Sequence, residues 1–291
     1  MKNKQVFLNG EFLPIREAKV SVLDRGFLFG DGVYEVIPAY GRKLFCFSEH
    51  MQRFDESLAA IRLSSPYSHS QLQEIFERLI ESSEEENQYL YCQITRGAAE
   101  NRDHTFPKDV TPSVFAMSSP FKTPYPEDYE KIGGIQCITY PDNRWLRCDI
   151  KAICLLANIL ARQTAVDEGM SESIFIRDGF VTEGAATNLF IVKDGSVITP
   201  AKNHLILGGI TRNLVVQLLR AHHITVEERD ITVEAFECAD EVWLTSSTKE
   251  IMPVTRVDKK LVGNGNIGPL WTQASRWFKQ FILGTTVVEP V

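Results

Sequence analysis

The chain has 291 residues, 44% of them hydrophobic and 24% charged, the profile of a globular protein large enough for two domains. A net charge of -7 without any run of basic residues excludes a nucleic-acid footprint, so a small acidic substrate would need a local cationic pocket. The six cysteines form no C-x-x-C pair, residues 1–14 lack the apolar core of a signal peptide, and the longest apolar stretch (152–161) is shorter than the ~20 residues of a membrane span; together these point to a cytoplasmic protein without a zinc site or disulfide framework.

Strand-like runs at 6–8 and 12–13 flank Asn9-Gly10, and runs at 33–40 and 43–47 flank Gly41-Arg42, two dipeptides suited to tight hairpin turns. Ser48 reads as the N-cap of a helix carrying Met51, Phe54, Leu58 and Ile61 on one face. Ser70 with Gln73 reads as a capping box ahead of Leu72, Ile75, Phe76 and Leu79. Strands at 89–95 and 113–117 complete a smaller α+β domain over residues 1–120. Pro120, Pro124 and Pro126 disfavour both helix interior and central strand, which predicts a linker at 121–129. A larger domain, 130–291, is expected to contain a strand at 134–140, a helix at 152–168 ended by Gly169, and hairpins at Asp178-Gly179 and Asp194-Gly195. A helix at 210–221, a strand at 242–245 and an amphipathic C-terminal helix follow.

Three segments carry chemistry. Lys151 ends the run Arg144-Trp145-Leu146-Arg147-Cys148-Asp149-Ile150-Lys151, directly before the apolar helix expected at 152. Burial and neighbouring cations lower a lysine pKa from its ~10.4 reference and make the amine a competent imine former. The segment Val181-Thr182-Glu183-Gly184-Ala185-Ala186-Thr187-Asn188 sets one carboxylate in a turn between two β runs, where it suits a protonated pyridine nitrogen. Leu207-Gly208-Gly209-Ile210-Thr211-Arg212 opens a helix with glycines, leaving backbone N–H groups and a positive dipole end for a phosphate. Taken singly, each also reads as something ordinary: a solvated lysine, a turn glutamate, a plain helix start.

In their order and spacing these segments resemble the fold type IV pyridoxal-phosphate enzymes, which include branched-chain aminotransferases, D-amino acid aminotransferases and aminodeoxychorismate lyases. The resemblance spans nearly the whole chain and also takes in Asp24-Arg25-Gly26-Phe27-Leu28-Phe29-Gly30-Asp31-Gly32-Val33-Tyr34-Glu35-Val36, the stretch around Arg53, and Thr245-Ser246-Ser247. It implies two α+β domains with pyridoxal 5'-phosphate in the cleft between them, and Lys151 as Schiff-base lysine and proton shuttle. Glu183 is implied at the pyridinium nitrogen. Arg53, the backbone of Ile210 and Thr211, the Thr211 hydroxyl, and Ser246 or Ser247 are implied at the phosphate. Arg144 would approach the phenolic oxygen and Leu207 the ring face.

Within that family the segment ending at Lys151 and the loop Arg102-Asp103-His104 look most like the D-amino acid aminotransferases. There an R-x-H pair, contributed by the neighbouring subunit, holds the substrate carboxylate with a tyrosine matching Tyr34, which implies a homodimer. The implied reaction joins a D-amino acid of the alanine or glutamate type to a 2-oxo acid, with no metal, nucleic acid or membrane involved. The alternatives are a branched-chain L-amino acid aminotransferase and an aminodeoxychorismate lyase. Two departures bear on substrate choice: Ala185 and Ala186 replace serines typical of the D-amino acid group, and the loop from Gly97 to Arg102 is one residue longer.

Overall fold

A computed structural model describes residues 4–123, 131 and 133–285; positions 124–129 of the expected linker lie outside the described residues. The chain divides into two compact units, Met1–Lys122 with Ile150–Leu155, and Thr123–Asp149 with Leu156–Val291. The two-domain α+β architecture is therefore present, and the segment carrying Lys151 groups with the first unit although it follows part of the second in sequence.

The first unit contains β1 (Gln5–Leu8), β2 (Glu11–Pro14), α1 (Arg25–Phe29), β3 (Gly32–Tyr40), β4 (Lys43–Leu44), α2 (Phe47–Ala60), α3 (His69–Glu81), β5 (Gln88–Thr95) and β6 (Ser113–Pro120). Its strands form an antiparallel sheet in the order β2-β1-β6-β5-β3-β4. Both expected hairpin turns are present: Asn9 and Gly10 take φ of 49° and 98°, and Gly41 and Arg42 take 51° and 64°, the left-handed pair that matches strand twist. Alternation along β5 buries Gln88, Leu90, Cys92 and Ile94 on one face, and Phe54, Leu58, Leu72, Phe76 and Leu79 of α2 and α3 pack into the same core as Leu90, Cys92 and Ile94.

Two expected helix starts shift. Ser48 lies inside the first turn of α2, because the chain passes through a left-handed Cys46 straight after the β4 hairpin and the helix has begun by Phe47. For α3, Ser68 and Gln71 form the capping box in place of Ser70 and Gln73. The sequence holds two overlapping Ser-x-x-Gln frames, and the earlier one lengthens the helix by half a turn while Ser70 bonds to the Ser68 hydroxyl at 2.9 Å.

The second unit contains β7 (Ile135–Pro141), α4 (Leu156–Asp167), β8 (Glu172–Arg177), β9 (Phe180–Gly184), β10 (Asn188–Lys193), β11 (Ser196–Thr199), α5 (Ile210–Ala221) and β12 (Val226–Glu228). It continues through β13 (Ile231–Thr232), α6 (Val233–Glu237), β14 (Glu241–Ser246), β15 (Glu250–Val257), β16 (Lys260–Leu261) and α7 (Pro269–Ile282). The mixed sheet runs β12-β11-β10-β14-β15-β7-β8-β9-β13, with β16 paired to β15. Hairpins turn at Asp178-Gly179 and Asp194-Gly195 with positive φ at all four residues, and α5 spans the stretch its periodicity indicates. Among the described residues no helix is long and apolar enough to cross a membrane.

The Gly268 N-cap of α7 brings no side chain, and Glu241 of β14 caps the helix instead. Its carboxylate accepts the amides of Leu270 and Trp271 at 3.0 and 2.9 Å and the Trp243 indole N–H at 2.9 Å. Removing it strands three donors in a buried place. Glu241→Ala is expected to destabilise the fold by about 2–4 kcal/mol, read from urea unfolding; a change within experimental scatter would show that α7 docks without this cap.

Candidate active site

Helix α2 presents two stripes. Met51, Phe54 and Leu58 face the core, while His50, Arg53 and Ser57, spaced as neighbours on the adjacent strip, are buried polar groups. Opposite them stands Glu35 of β3, fully buried. Its carboxylate accepts from Arg53 Nε at 2.9 Å and from Arg53 Nη2, lies 3.0 Å from His50 Nδ1, and takes the Val36 amide at 2.8 Å. Burial opposes the charge on Glu35, yet Arg53 and His50 hold its carboxyl well below the usual range. Burial, with Arg53 and Lys151 nearby, also keeps the His50 imidazole below its ordinary value, although Glu35 pulls the other way.

Lys151 does not stand at a helix start. The helix begins five residues later, at Leu156, because the backbone before it is spent on pairing with β3. The Tyr34 amide donates to the Lys151 carbonyl at 3.0 Å, Ala152 bridges Val33, and the Ile153 amide donates to Gly32 at 3.1 Å. The Lys151 amide in turn donates to Ser57 Oγ at 3.2 Å. Lys151 Nζ then lies over the Tyr34 ring, 4.2 Å from its centre. Tyr34 and Lys151 are thus brought together, and Ser57, one turn beyond Arg53 on α2, ties the lysine segment to that helix.

Arg102 and His104 lie in the exposed loop between β5 and β6. Both contact Phe29 of α1: the Arg102 guanidinium is 4.8 Å from its ring centre and the His104 ring 5.2 Å. Among the described residues no hydrogen bond or ring contact joins either to Tyr34.

In the second unit Glu183 lies buried at the end of β9. Arg144 Nη1 donates to one carboxylate oxygen; the other accepts Asn188 Nδ2 and the Leu207 amide, both at 3.0 Å. Arg144 is shared with Asp142, which takes its Nε and Nη2 at 2.9 Å and is also paired with Arg177. Burial opposes ionisation of Asp142, but these two arginines bring its carboxyl down to about 2. Glu183 is less well compensated, and burial pushes its carboxyl up to about 7 against the pull of Arg144. Leu205 O accepts a further Nη2 hydrogen at 3.2 Å, so one Nη1 hydrogen of Arg144 is left over among the described contacts.

Asn188 connects this carboxylate to the start of α5. Its Nδ2 also donates to Leu207 O at 2.8 Å, and its Oδ1 lies so close to Gly209 that a Cβ there would sit 1.9 Å away, which explains the glycine. Gly209 caps α5 without a side-chain acceptor, so the first amides, including Ile210 and Thr211, face outward from the helix with the positive dipole end. Ser246 and Ser247 follow at the end of β14 and in the turn after it, both half-buried.

Glu35, His50, Asp142 and Asn188 had no role on sequence grounds. Asn188 stands five residues after Glu183 in a strand–turn–strand and Asp142 two residues before Arg144, whereas Glu35 meets His50 and Arg53 from another element and Asp142 meets Arg177 from another strand. Among the described residues no group of His, Cys, Asp and Glu is suited to hold a metal.

Residues 32–257 match the family model for Amino-transferase class IV. The chain is 41% identical over 279 residues to a D-alanine aminotransferase of Staphylococcus haemolyticus, covering 96% of this chain and 98% of the relative. It is 38% identical over 282 residues to a D-alanine aminotransferase of Bacillus licheniformis, covering 97% and 98%. In structure it is similar to the branched-chain amino acid aminotransferase from Escherichia coli, with a TM-score of 0.87 at 28% identity, covering 98% of this chain and 96% of that one. A family match over most of the chain, full-length relatives and a shared two-domain fold agree: the chain belongs to the class IV aminotransferases.

Proposed function

We propose that this protein transfers an amino group between a D-amino acid of the alanine or glutamate type and a 2-oxo acid, with pyridoxal 5'-phosphate attached through Lys151 Nζ. The substrate reading is carried by the 41% identity, across nearly all of both chains, to a protein named D-alanine aminotransferase. The branched-chain neighbour in structure shares the fold at 28% identity.

The residues fit this cofactor. The Thr187 and Thr245 hydroxyls are buried without a hydrogen-bond partner among the described residues, and the start of α5 has no side-chain acceptor, a donor set suited to a phosphate. Burial opposes the charge on Glu183, so a cationic ring nitrogen beside it would be a welcome counter-charge. When bound, pyridoxal phosphate supplies an aldehyde that condenses with amines and a protonated ring that draws electrons from Cα.

Each residue then has a task. Lys151 Nζ anchors the cofactor and carries the proton taken from Cα. Glu183 holds the ring nitrogen protonated, with Asn188 and the Leu207 amide fixing its second oxygen. Arg53, Ile210, Thr211, Ser246 and Ser247 bind the phosphate, the spare Arg144 hydrogen serves the phenolic oxygen, and Leu207 covers the ring. Glu35 fixes the fork of Arg53. Tyr34 holds the substrate carboxylate with Arg102 and His104 of the neighbouring subunit of a homodimer. A dimer is supported by Leu156, Ile159 and Leu160 on α4, exposed by 70, 59 and 54% at helical spacing, an apolar strip that association would cover. A cytoplasmic location completes the reading.

The deciding experiment adds D- and L-amino acids singly to the holoenzyme without a 2-oxo acid. D-Alanine and D-glutamate should abolish the long-wavelength cofactor absorption within seconds while L-leucine leaves it; the reverse result moves the protein to the branched-chain group. Glu183→Gln should keep the cofactor bound yet slow turnover by about 100-fold or more, since an amide cannot hold the ring nitrogen protonated; unchanged turnover would remove Glu183 from that role. Arg102→Ala should lower kcat/KM for D-amino acids by roughly 10- to 150-fold. Mixing it with inactive Lys151→Ala subunits should restore activity, because one site of each mixed dimer draws both residues from intact copies. Verified mixed dimers that stay inactive would exclude sharing between subunits.

A further inference from the structure

The segment from Asp24 to Asp31 has no part in the cofactor reading, yet it contains some of the most deeply buried charges of the first unit. Asp24 and Arg25 are 3% and 4% exposed. Apart from the Gly26 amide on Asp24 and Asp31 on Arg25, the side-chain hydrogen bonds of both go to the base or the tip of one loop, the one between β5 and β6 that carries Arg102 and His104.

Asp24 holds the two feet of the loop. Its Oδ2 accepts from Thr95 Oγ1, the last residue of β5, at 3.0 Å and from Ser113 Oγ, the first of β6, at 2.7 Å. Inside these feet the Arg25 amide donates to Gly97 O at 2.9 Å, and Gly97, at φ 94°, lies so close to Thr111 that a Cβ would sit 2.1 Å from its carbonyl oxygen. The loop is closed at its base like an Ω-loop.

Arg25 holds the tip. Its Nη1 donates to the carbonyls of Asp103 and Thr105, and its Nη2 to the carbonyl of His104 at 3.3 Å. Three successive carbonyls around one rigid guanidinium fix the backbone that bears His104 and adjoins Arg102. The guanidinium is itself oriented by Asp31, whose Oδ2 accepts Arg25 Nε at 2.8 Å. Asp31 also binds Arg96 in a fork at 2.8 and 3.0 Å. Arg96 donates to the carbonyls of Ile61 and Arg62 at the C-terminal end of α2 and lies 3.7 Å from the centre of the Phe106 ring, with Arg62 at 4.7 Å. Phe106, next but one to His104, is thereby clamped by two guanidinium groups.

From this geometry we propose that Arg25, oriented by Asp31, is a positioning residue for substrate recognition: it holds the Arg102–His104 backbone in the conformation that receives a substrate carboxylate. This rests on the D-amino acid reading for its substrate, and on the hydrogen bonds alone for the held loop. Ordering a loop costs conformational entropy, so a loop fixed before substrate arrives spares the binding step that cost.

The test uses holoenzyme bearing Arg25→Lys, which keeps the charge but cannot reach Asp31 and three carbonyls at once. Trypsin should cleave after the exposed Arg102 about 10-fold faster, because the backbone that follows is no longer held through the carbonyls of Asp103, His104 and Thr105. KM for the D-amino acid and for the 2-oxo acid should rise roughly 10- to 100-fold, with the cofactor absorption unchanged. In an Arg102→Ala/His104→Ala background, Arg25→Lys should add less than about 2-fold to KM, since the groups it positions are gone. A KM penalty that survives in full in that background, or unchanged cleavage and KM in the folded variant, overturns the proposal. Should Arg25→Lys fail to fold, Phe106→Ala decides in its place, as it leaves every buried ion pair intact: a KM rise that vanishes in the same background supports the proposal, and an unchanged KM overturns it. A wild-type holoenzyme inactive on D-amino acids would fail the substrate reading by itself, and the cleavage comparison would still decide whether Arg25 holds the loop.

Discussion

The exposed edge of β3 is the constraint on which the first unit turns. β4 pairs only with Ala39 and Tyr40, so the backbone groups at the other end of the strand need partners of their own. Residues 151–153 supply them, and that pairing brings a stretch from beyond residue 149 back into the first unit. It also sets the Lys151 amine above Tyr34 and its amide on Ser57 of α2. A helix beginning at 152 would have taken the Lys151 carbonyl for its first internal hydrogen bond and turned the Ile153 amide along the helix axis, away from Gly32. The Lys151 amine therefore owes its place to a few strand-like hydrogen bonds rather than to a helix terminus.

Buried carboxylates do most of the organising elsewhere. Glu35 orients Arg53, Asp31 orients Arg25 and Arg96, Asp142 orients Arg144 and Arg177, and Glu241 caps α7. Burying such ions is costly, and the return is geometric: each guanidinium is held in one orientation by a fixed acceptor, so its other hydrogens point in known directions. Where the arginine is already taken up by another carboxylate, as for Glu183 beside Asp142, the remaining acid is left under-compensated and suited to an incoming cation.

Fold and substrate separate along the same lines. The likeness in structure to a branched-chain enzyme at a TM-score of 0.87 reflects the shared sheets and helices. In the proposed reading substrate choice falls to Arg102 and His104, on a loop whose backbone is tied to the buried Asp24, Arg25 and Asp31 beneath it. A loop of this kind can change its exposed side chains while its anchors stay in place.

What the sequence determined by itself was whatever depends on neighbours a few residues away. The four hairpin turns follow from dipeptides that tolerate positive φ, α5 follows from apolar periodicity opened by glycines, and the order of motifs marks the family. Even the misplaced cap of α3 was a local ambiguity between two overlapping frames, settled by half a turn. Tertiary structure alone decided the setting of Lys151, the pairing of Glu35 with Arg53, the sharing of Arg144 between Asp142 and Glu183, and the grip of Arg25 on a loop more than seventy residues away. The physical reason is range: a dihedral preference or a helical stripe is encoded within one turn of chain, whereas the partner of a buried charge is whichever acceptor the folded backbone brings to it, and no spacing in the sequence records that distance.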